Sequence, residues 1–212
     1  MTFNLPNGWT LAPMSDVVEV NPKRSLQKGL TVPFVEMAAL PIGGSVVRHF
    51  GERKAGDGGA KFAAGDTLFA RITPCTENGK LGFVEAVPNG GVALGSTEFI
   101  VLSGKEGVTI PRFVTLLASW DVVRGQAIGY MEGTSGRQRV PNWAFDVIEV
   151  PVPPCDEQQS IVELIGALDA LIDAEQALVG ETERRSSERL FRAKQVLLSD
   201  LLSGQRLLGK RT

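Results

Sequence analysis

Residues 156–203 carry the feature that most limits how this chain can fold, an apolar side chain returning every three or four positions. Ile161, Leu164/Ile165, Leu168, Leu171/Ile172 and Leu178/Val179 make its first half. Leu190, Ala193, Leu197 and Leu201 resume it after a weak middle at Thr182 and Ser186. That spacing is the signature of an amphipathic α-helix. Pro153-Pro154 bars helix before it, Asp156 stands where an N-cap would, Gln159 takes the capping-box place, and Gly204 is positioned to end it. At 1.5 Å per residue the stretch predicts one rod of roughly 70 Å. A small domain cannot cover such a rod, so its stripe needs a partner helix.

Charge along the rod bears on that partner. Positions 156, 157, 163, 169, 173, 175, 181 and 183 are acidic, with no base among them. From 184 onward the bases at 184, 185, 189, 192, 194, 206, 210 and 211 face only Glu188 and Asp200. A parallel copy sets like on like, whereas an antiparallel copy sets acid against base, the isologous geometry of a two-fold dimer. Each exposed pair contributes less than about 1 kcal/mol, so charge selects orientation more than it supplies affinity. The alternative is that the polarity merely complements the helix dipole, an effect confined to the terminal turns.

The remainder is long enough for one globular core. Net charge is −2, so nucleic-acid binding would need a local basic patch rather than a bulk excess. Cys75 and Cys155 lie far apart without metal or redox spacing and read as plain thiols. No signal-like opening or long apolar run occurs, so the expectation is a soluble, cytoplasmic protein.

Along the chain, Asn7-Gly8 reads as a turn, followed by a short strand from Trp9 and a short helix over 15–20. Strands are expected at 32–37, 67–72, 81–87, 98–103 and in VIEVPVP before the rod. A helix should run from Pro111 to about Val123, and Asn142 is placed to cap a short one. Polar loops separate these at 48–65, 73–80 and 132–141. The fold class is therefore α+β, a mixed domain on a curved sheet followed by one long C-terminal coiled-coil helix.

Enzyme signatures are weak. His49 is the one histidine, which argues against a Ser-His-acid triad or a histidine-rich metal site. Gly91–Thr97 lacks the lysine of a phosphate-binding loop. Val152-Pro153-Pro154-Cys155 lacks the polar first residue and the aromatic of an amino-methyltransferase tetrapeptide. Glu52-Arg53-Lys54 has the E-x-K form of many nucleases but no preceding Pro-Asp pair. No catalytic or metal-binding residues are assigned. The loops offer a different chemistry. Arg48 and Lys54 suit phosphate contact. Arg71, Thr73, Asn78, Lys80, Arg137, Gln138 and Arg139 are the types that read base edges or flank them, Arg and Lys to guanine, Asn and Gln to adenine. Taken alone, these are also the residues of ordinary solvated loops.

Four stretches, in order, resemble the specificity subunit of type I restriction-modification systems. LPNGWTLAPMSDVVEVNPKR resembles the family's opening "Pro-x-Gly-Trp … Ile-Asn-Pro" segment, and GDTLFARITPCTENGKLGFV its "Gly-Asp-x-Leu … Arg … Gly-Lys" block. Pro111-Arg112-Phe113 opens the expected helix. GTSGRQRVPNWAFDVIEVPVPPCDEQQSIVELI is similar to the "Gly-Thr … Gln" loop leading to "Ile-Pro-Leu-Pro-Pro-x-x-Glu-Gln-x-x-Ile", with Val152 in place of the leucine.

The resemblance implies a target-recognition domain over 1–153 and, over 154–212, a long conserved helix for dimerisation and methyltransferase docking. Family members usually hold two such domains and two helices, each domain reading half of a bipartite site, so this chain looks like a half-length form. The implied partners are double-stranded DNA, a second copy paired antiparallel through Ile161, Leu164, Leu168, Leu171, Leu178, Leu190, Leu197 and Leu201, methyltransferase subunits, and a restriction nuclease subunit. S-adenosylmethionine is expected on the methyltransferase subunit, with no cofactor on this chain. The rival expectation is a regulatory or decoy scaffold that binds methyltransferase subunits through the helix without reading DNA.

Overall fold

The computed structural model describes residues 5–56, 58–178 and 184–204. Its middle layer is the most apolar part of the chain. Strand β1 (Thr10–Pro13) leads through a one-turn helix α1 (Met14–Val17) into β2 (Val18–Val20). The expected helix over 15–20 thus stops early, because Val17, Val18 and Val20 are β-branched and Val18 enters a ladder opposite Gly104. Next come β3 (Thr31–Val35), β4 (Gly51–Lys54), β5 (Ala60–Phe62), β6 (Thr67–Ala70), β7 (Leu81–Phe83), β8 (Ala93–Gly95) and β9 (Phe99–Gly104). Helices α2 (Pro111–Ser119), α3 (Asp121–Gly129) and α4 (Ala144–Val147) follow, then β10 (Glu149–Val152), α5 (Cys155–Leu178) and α6 (Arg184–Leu202).

Two four-stranded sheets form, β2-β9-β6-β7 and β4-β3-β8-β5, with β1 and β10 paired separately and antiparallel. Leu68, Ala70, Phe99 and Val101 point from the first sheet toward Val35, Phe62 and Ala93 of the second. Phe69, Ile100 and Leu102, the alternate residues of the same strands, point to the helices. Strands β6 and β9 are therefore apolar on both faces, as the centre of three layers requires.

The expected loop 48–65 contains strands β4 and β5. Strand β4 pairs with β3 yet leaves all its side chains exposed, so it carries no alternation to read. Its Arg53 guanidinium lies 3.8 Å from the Phe34 ring centroid. Strand β8, which pairs parallel with β3 and antiparallel with β5, sits in the stretch that reads as a glycine loop. The helix expected to reach Val123 breaks at Trp120, whose backbone is extended, and restarts as α3.

The C-terminal segment departs most from expectation. Helices α5 and α6 are present, but they lie side by side rather than end to end. Lys194 Nζ is 2.6 Å from Asp169 Oδ1, whereas in one continuous helix the intervening positions would separate the two residues by roughly 37 Å. The acid-first, base-last polarity that points to an antiparallel partner is met within the chain, because its acidic half packs on its own basic half. Gln195 anchors α6 to the globular layer. Its amide donates to Ser119 O at 3.2 Å and accepts from Asp121 N at 3.3 Å, satisfying backbone groups freed where α2 gives way to α3. Ile161, Ile165, Leu198, Leu201 and Leu202 join the same core as Phe113 and Trp120.

Helix α5 begins at Cys155, one residue before the expected Asp156 cap, and the neighbouring Gln158 does the anchoring. Fully buried, it donates to Val108 O (2.7 Å) and Pro153 O (2.9 Å) and accepts from Ile110 N (3.0 Å). Gln159 instead donates to Glu163. Thr182, Val179 and residues 205–212 lie outside the described residues, as do the side chains of Leu178 and Ser186. No described helix is long and apolar enough to cross a membrane.

Candidate nucleic-acid interface

Two of the three polar loops meet along one strip at the end of β6. Arg71 and Ile72 leave that strand and pair with the returning arm of loop 132–141. Val140 N donates to Arg71 O at 2.8 Å, Thr73 N to Gln138 O at 3.0 Å, and Ile72 bridges Arg139. Loop 132–141 is itself a small hairpin closed by reciprocal Glu132–Arg139 backbone bonds of 3.0 and 2.8 Å. Gly133 and Gly136 turn it, with φ of 122° and 78°. A side chain at Gly133 would come within 2.9 Å of Arg137 O, so the turn requires glycine.

Loop 73–80 is held from below. Thr76 donates to Ala70 O (2.8 Å), Arg124 to Glu77 O (2.7 Å) and the Lys80 ammonium to Met37 O (2.9 Å). Thr73 Oγ1 donates to Glu77 at 2.8 Å. Asn78 at the tip is exposed, and its side chain makes no hydrogen bond among the described residues. Arg137 is likewise exposed and has no ion-pair partner among them. Those two side chains are free to meet a ligand.

Arg139 is differently placed. Its guanidinium forks onto Glu98, with contacts of 2.7 to 3.1 Å, so the group proposed to read a guanine is already bound to a carboxylate. That hydrogen bond is the main cause holding the Glu98 carboxyl below its ordinary value, against the opposing effect of partial burial, and it raises Arg139 in turn. Arg71 reaches Asn142 Oδ1 at 3.5 Å while its buried Nε has no partner. Asn142 therefore serves Arg71 rather than capping α4, which has no side-chain cap.

The strip brings together Arg71, Thr73, Gln138 and Arg139, with Asn78 and Lys80 farther along loop 73–80 and Arg137 in the hairpin of loop 132–141. Arg48 and Lys54 lie elsewhere. Arg48 lines a cavity of about 440 Å³ whose far wall is Asp169, Ile172, Phe191 and Lys194 of the helical hairpin. Lys54 sits on β4 at the edge of the second sheet. Sequence reasoning missed Trp143, which is 44% exposed beside the strip. It packs edge-on to Tyr130 at 5.3 Å and donates to Glu132 at 3.2 Å. A tryptophan directly after a polar loop was the available signal. Of the apolar residues assigned to dimerisation, Ile161 and Leu201 are buried in this chain's own core. Leu168, Leu190 and Leu197 are half-buried, while Leu164 and Leu171 remain 39% and 64% exposed. Among the described residues no cluster of His, Cys, Asp or Glu is arranged to hold a metal ion.

The quoted motifs turn out to be scaffold. Trp9 of the opening segment donates to Glu157 at 2.9 Å, joining the first motif to the last. Asn21 accepts from Val101 N at 3.0 Å. Asp66 of the central block, 1% exposed, accepts from Arg24 (2.8 Å), Ala63 N (2.7 Å) and Ser103 (2.7 Å). Burial still raises its carboxyl above the ordinary value despite these bonds.

No protein-family profile matches the chain. It is 29% identical over 175 residues to the type I restriction enzyme EcoAI specificity subunit of Escherichia coli, and 30% identical over 177 residues to the EcoEI specificity subunit of the same organism. Each match covers 81% of this chain. The chain is a relative of the specificity subunits of type I restriction-modification systems. It spans 30% and 29% of the length of those two relatives. The fold agrees. The HsdS subunit from Thermoanaerobacter tengcongensis superposes with a TM-score of 0.63 at 22% identity, over 83% of this chain and 45% of that one. A chain from a structure of type I restriction-modification complex assembly and conformational transition superposes at 0.59 and 14% identity, over 96% and 48%. The S subunit from M. genitalium gives 0.52 at 12% identity, over 84% and 44%.

Proposed function

We propose that this chain is a non-catalytic DNA-recognition subunit, its globular layers forming one target-recognition domain that reads half of a bipartite site. The observation that carries this reading is the strip itself. The two loops paired at the end of β6 present Asn78 and Arg137 unbound among the described residues, with Thr73 and Gln138 joining the loops, in a chain whose relatives are named specificity subunits. Asn pairs with adenine and Arg with guanine through two hydrogen bonds each, which is how side chains distinguish base pairs in a major groove.

A second copy supplies the other half-site in this proposal. The solved relatives are about twice as long as this chain, each match covering 44% to 48% of them. Leu164 and Leu171, on one face of α5 with half-buried Leu168 between them, stay uncovered when the hairpin closes. Antiparallel pairing of two such faces buries both stripes and sets two readers on a two-fold axis, which calls for inverted half-sites. The helical segment docks adenine methyltransferase subunits that bind S-adenosylmethionine and perform the methyl transfer, and a nuclease subunit joins the complex.

The test is reconstitution with a type I methyltransferase subunit from the same organism, followed by mapping of N6-methyladenine on plasmid DNA. Methylation confined to one inverted, spaced sequence, and lost on omission of this chain, is the expected result. Sequence-independent methylation, or none at all with a verified complex, refutes the reading.

A further inference from the structure

A second concavity adjoins the strip and shares Arg71 with it. It has a volume of about 390 Å³ and lies between the turn after β2, strand β5 and the start of β9. Lys23, Arg24, Lys61 and Arg71 line it, no carboxylate among the described residues does, and Thr97 adds a hydroxyl. Phe99 and Val101 line it as well, both buried. At about 30 Å³ per water the space equals roughly a dozen waters, enough for a hydrated phosphodiester.

The charge balance within this cleft is positive. Arg24 is neutralised by Asp66 at 2.8 Å. Glu98, whose carboxyl feels the Arg71 charge, is hydrogen-bonded to Arg139. Lys23 and Lys61 have no acidic partner among the described residues. A phosphate oxygen is an acceptor that also matches the charge.

We propose that this cleft seats a backbone phosphate of the DNA duplex, held by Lys23, Lys61 and Arg71, and so fixes the register in which the strip meets the bases. The site rests on the DNA-recognition reading and extends it to a sequence-independent anchor. Arg71 joins the two parts. It lines the cleft, and its carbonyl accepts from Val140 at the foot of loop 132–141. Contacts of this type position a protein on DNA, whereas base contacts specify the sequence.

The test measures binding of the intact chain to fluorescein-labelled duplexes, one of mixed sequence and one carrying the methylated target, across a potassium chloride series. Lys23→Ala with Lys61→Ala should weaken binding several-fold on both duplexes and lower the slope of log affinity against log salt by about one unit per lysine. Arg189→Ala with Arg192→Ala, which removes equal charge from exposed positions on α6, should leave the slope unchanged. Thermal unfolding of both variants confirms that they are folded. If the unmodified chain binds neither duplex, the DNA-recognition reading fails and takes the anchor with it. If it binds, and the two double variants have equal slopes or the loss is confined to the target duplex, the anchor alone is overturned.

Discussion

Replacing Lys194 with methionine tests whether the C-terminal segment closes on its own domain. The Lys194 side chain is 2% exposed, with its ammonium 2.6 Å from Asp169 Oδ1 and 3.2 Å from Gly43 O. Methionine keeps the stem and removes the charge, stranding a carboxylate that is 15% exposed. Removing one partner of a buried pair costs about 3–5 kcal/mol. Arg112 remains 3.5 Å from Asp169 Oδ2, too poorly aligned for a hydrogen bond yet close enough to compensate in part. The expected loss therefore falls to the bottom of that range or just under it, about 2–3 kcal/mol. Urea unfolding followed by circular dichroism measures it. The double variant with Asp169→Asn should recover about 1 kcal/mol or more of the summed single losses, the signature of direct coupling. A loss below about 0.5 kcal/mol, typical of a surface position, with no coupling, would refute side-by-side packing and restore the extended rod. Coupling that strengthens with protein concentration would instead show the same contact being made by α6 of a second copy.

Three other outcomes follow from the same geometry. Gln158→Leu strands three backbone groups and should cost about 3 kcal/mol, read as a lowered Tm, with the start of α5 becoming protease-sensitive. Because the Glu98 carboxyl is held below its unfolded value of 4.5, its pairing with Arg139 contributes stability above that pH and loses it as pH falls through the folded value. Glu98→Gln should flatten that acid limb in a stability-versus-pH series, and an unchanged limb would show the pair to be inert. Arg137→Ala should reduce discrimination at one base pair by about 1–3 kcal/mol, measured by competition among single-base variants of the target. Equal losses on all variants would make Arg137 a phosphate contact instead.

Legibility followed what each residue had to satisfy. Strands β6 and β9 were readable because apolar residues must cover both their faces. Strand β4 was not, since its residues are all exposed and its order comes from backbone pairing with β3 and from Arg53 lying over Phe34. Strand β8 has a glycine where Phe99 and Phe62 crowd in, so the residue that looks like a loop marks close packing. Most of the site was visible as loop composition, but its pairing state was not. Nothing in Gly-Arg-Gln-Arg separates the free Arg137 from the occupied Arg139, because the difference is made by Glu98, 41 positions away from Arg139.

The long C-terminal pattern shows why periodicity alone could not choose between a rod and a hairpin. Both geometries need the same apolar spacing and the same antiparallel match of acid to base, and both leave α5 touching a basic helix. What separates them is whether that helix belongs to the same chain. The contacts that dock α6 are specific: Lys194 meets Asp169 and Gly43, and Gln195 fills the backbone gap at Trp120. A second copy's α6 could make those same contacts without any change of side chain, so two folded forms would share one interface and differ in connectivity. Their balance then shifts with protein concentration, and Leu164 and Leu171, exposed in the closed form, are the apolar surface that a second copy would cover.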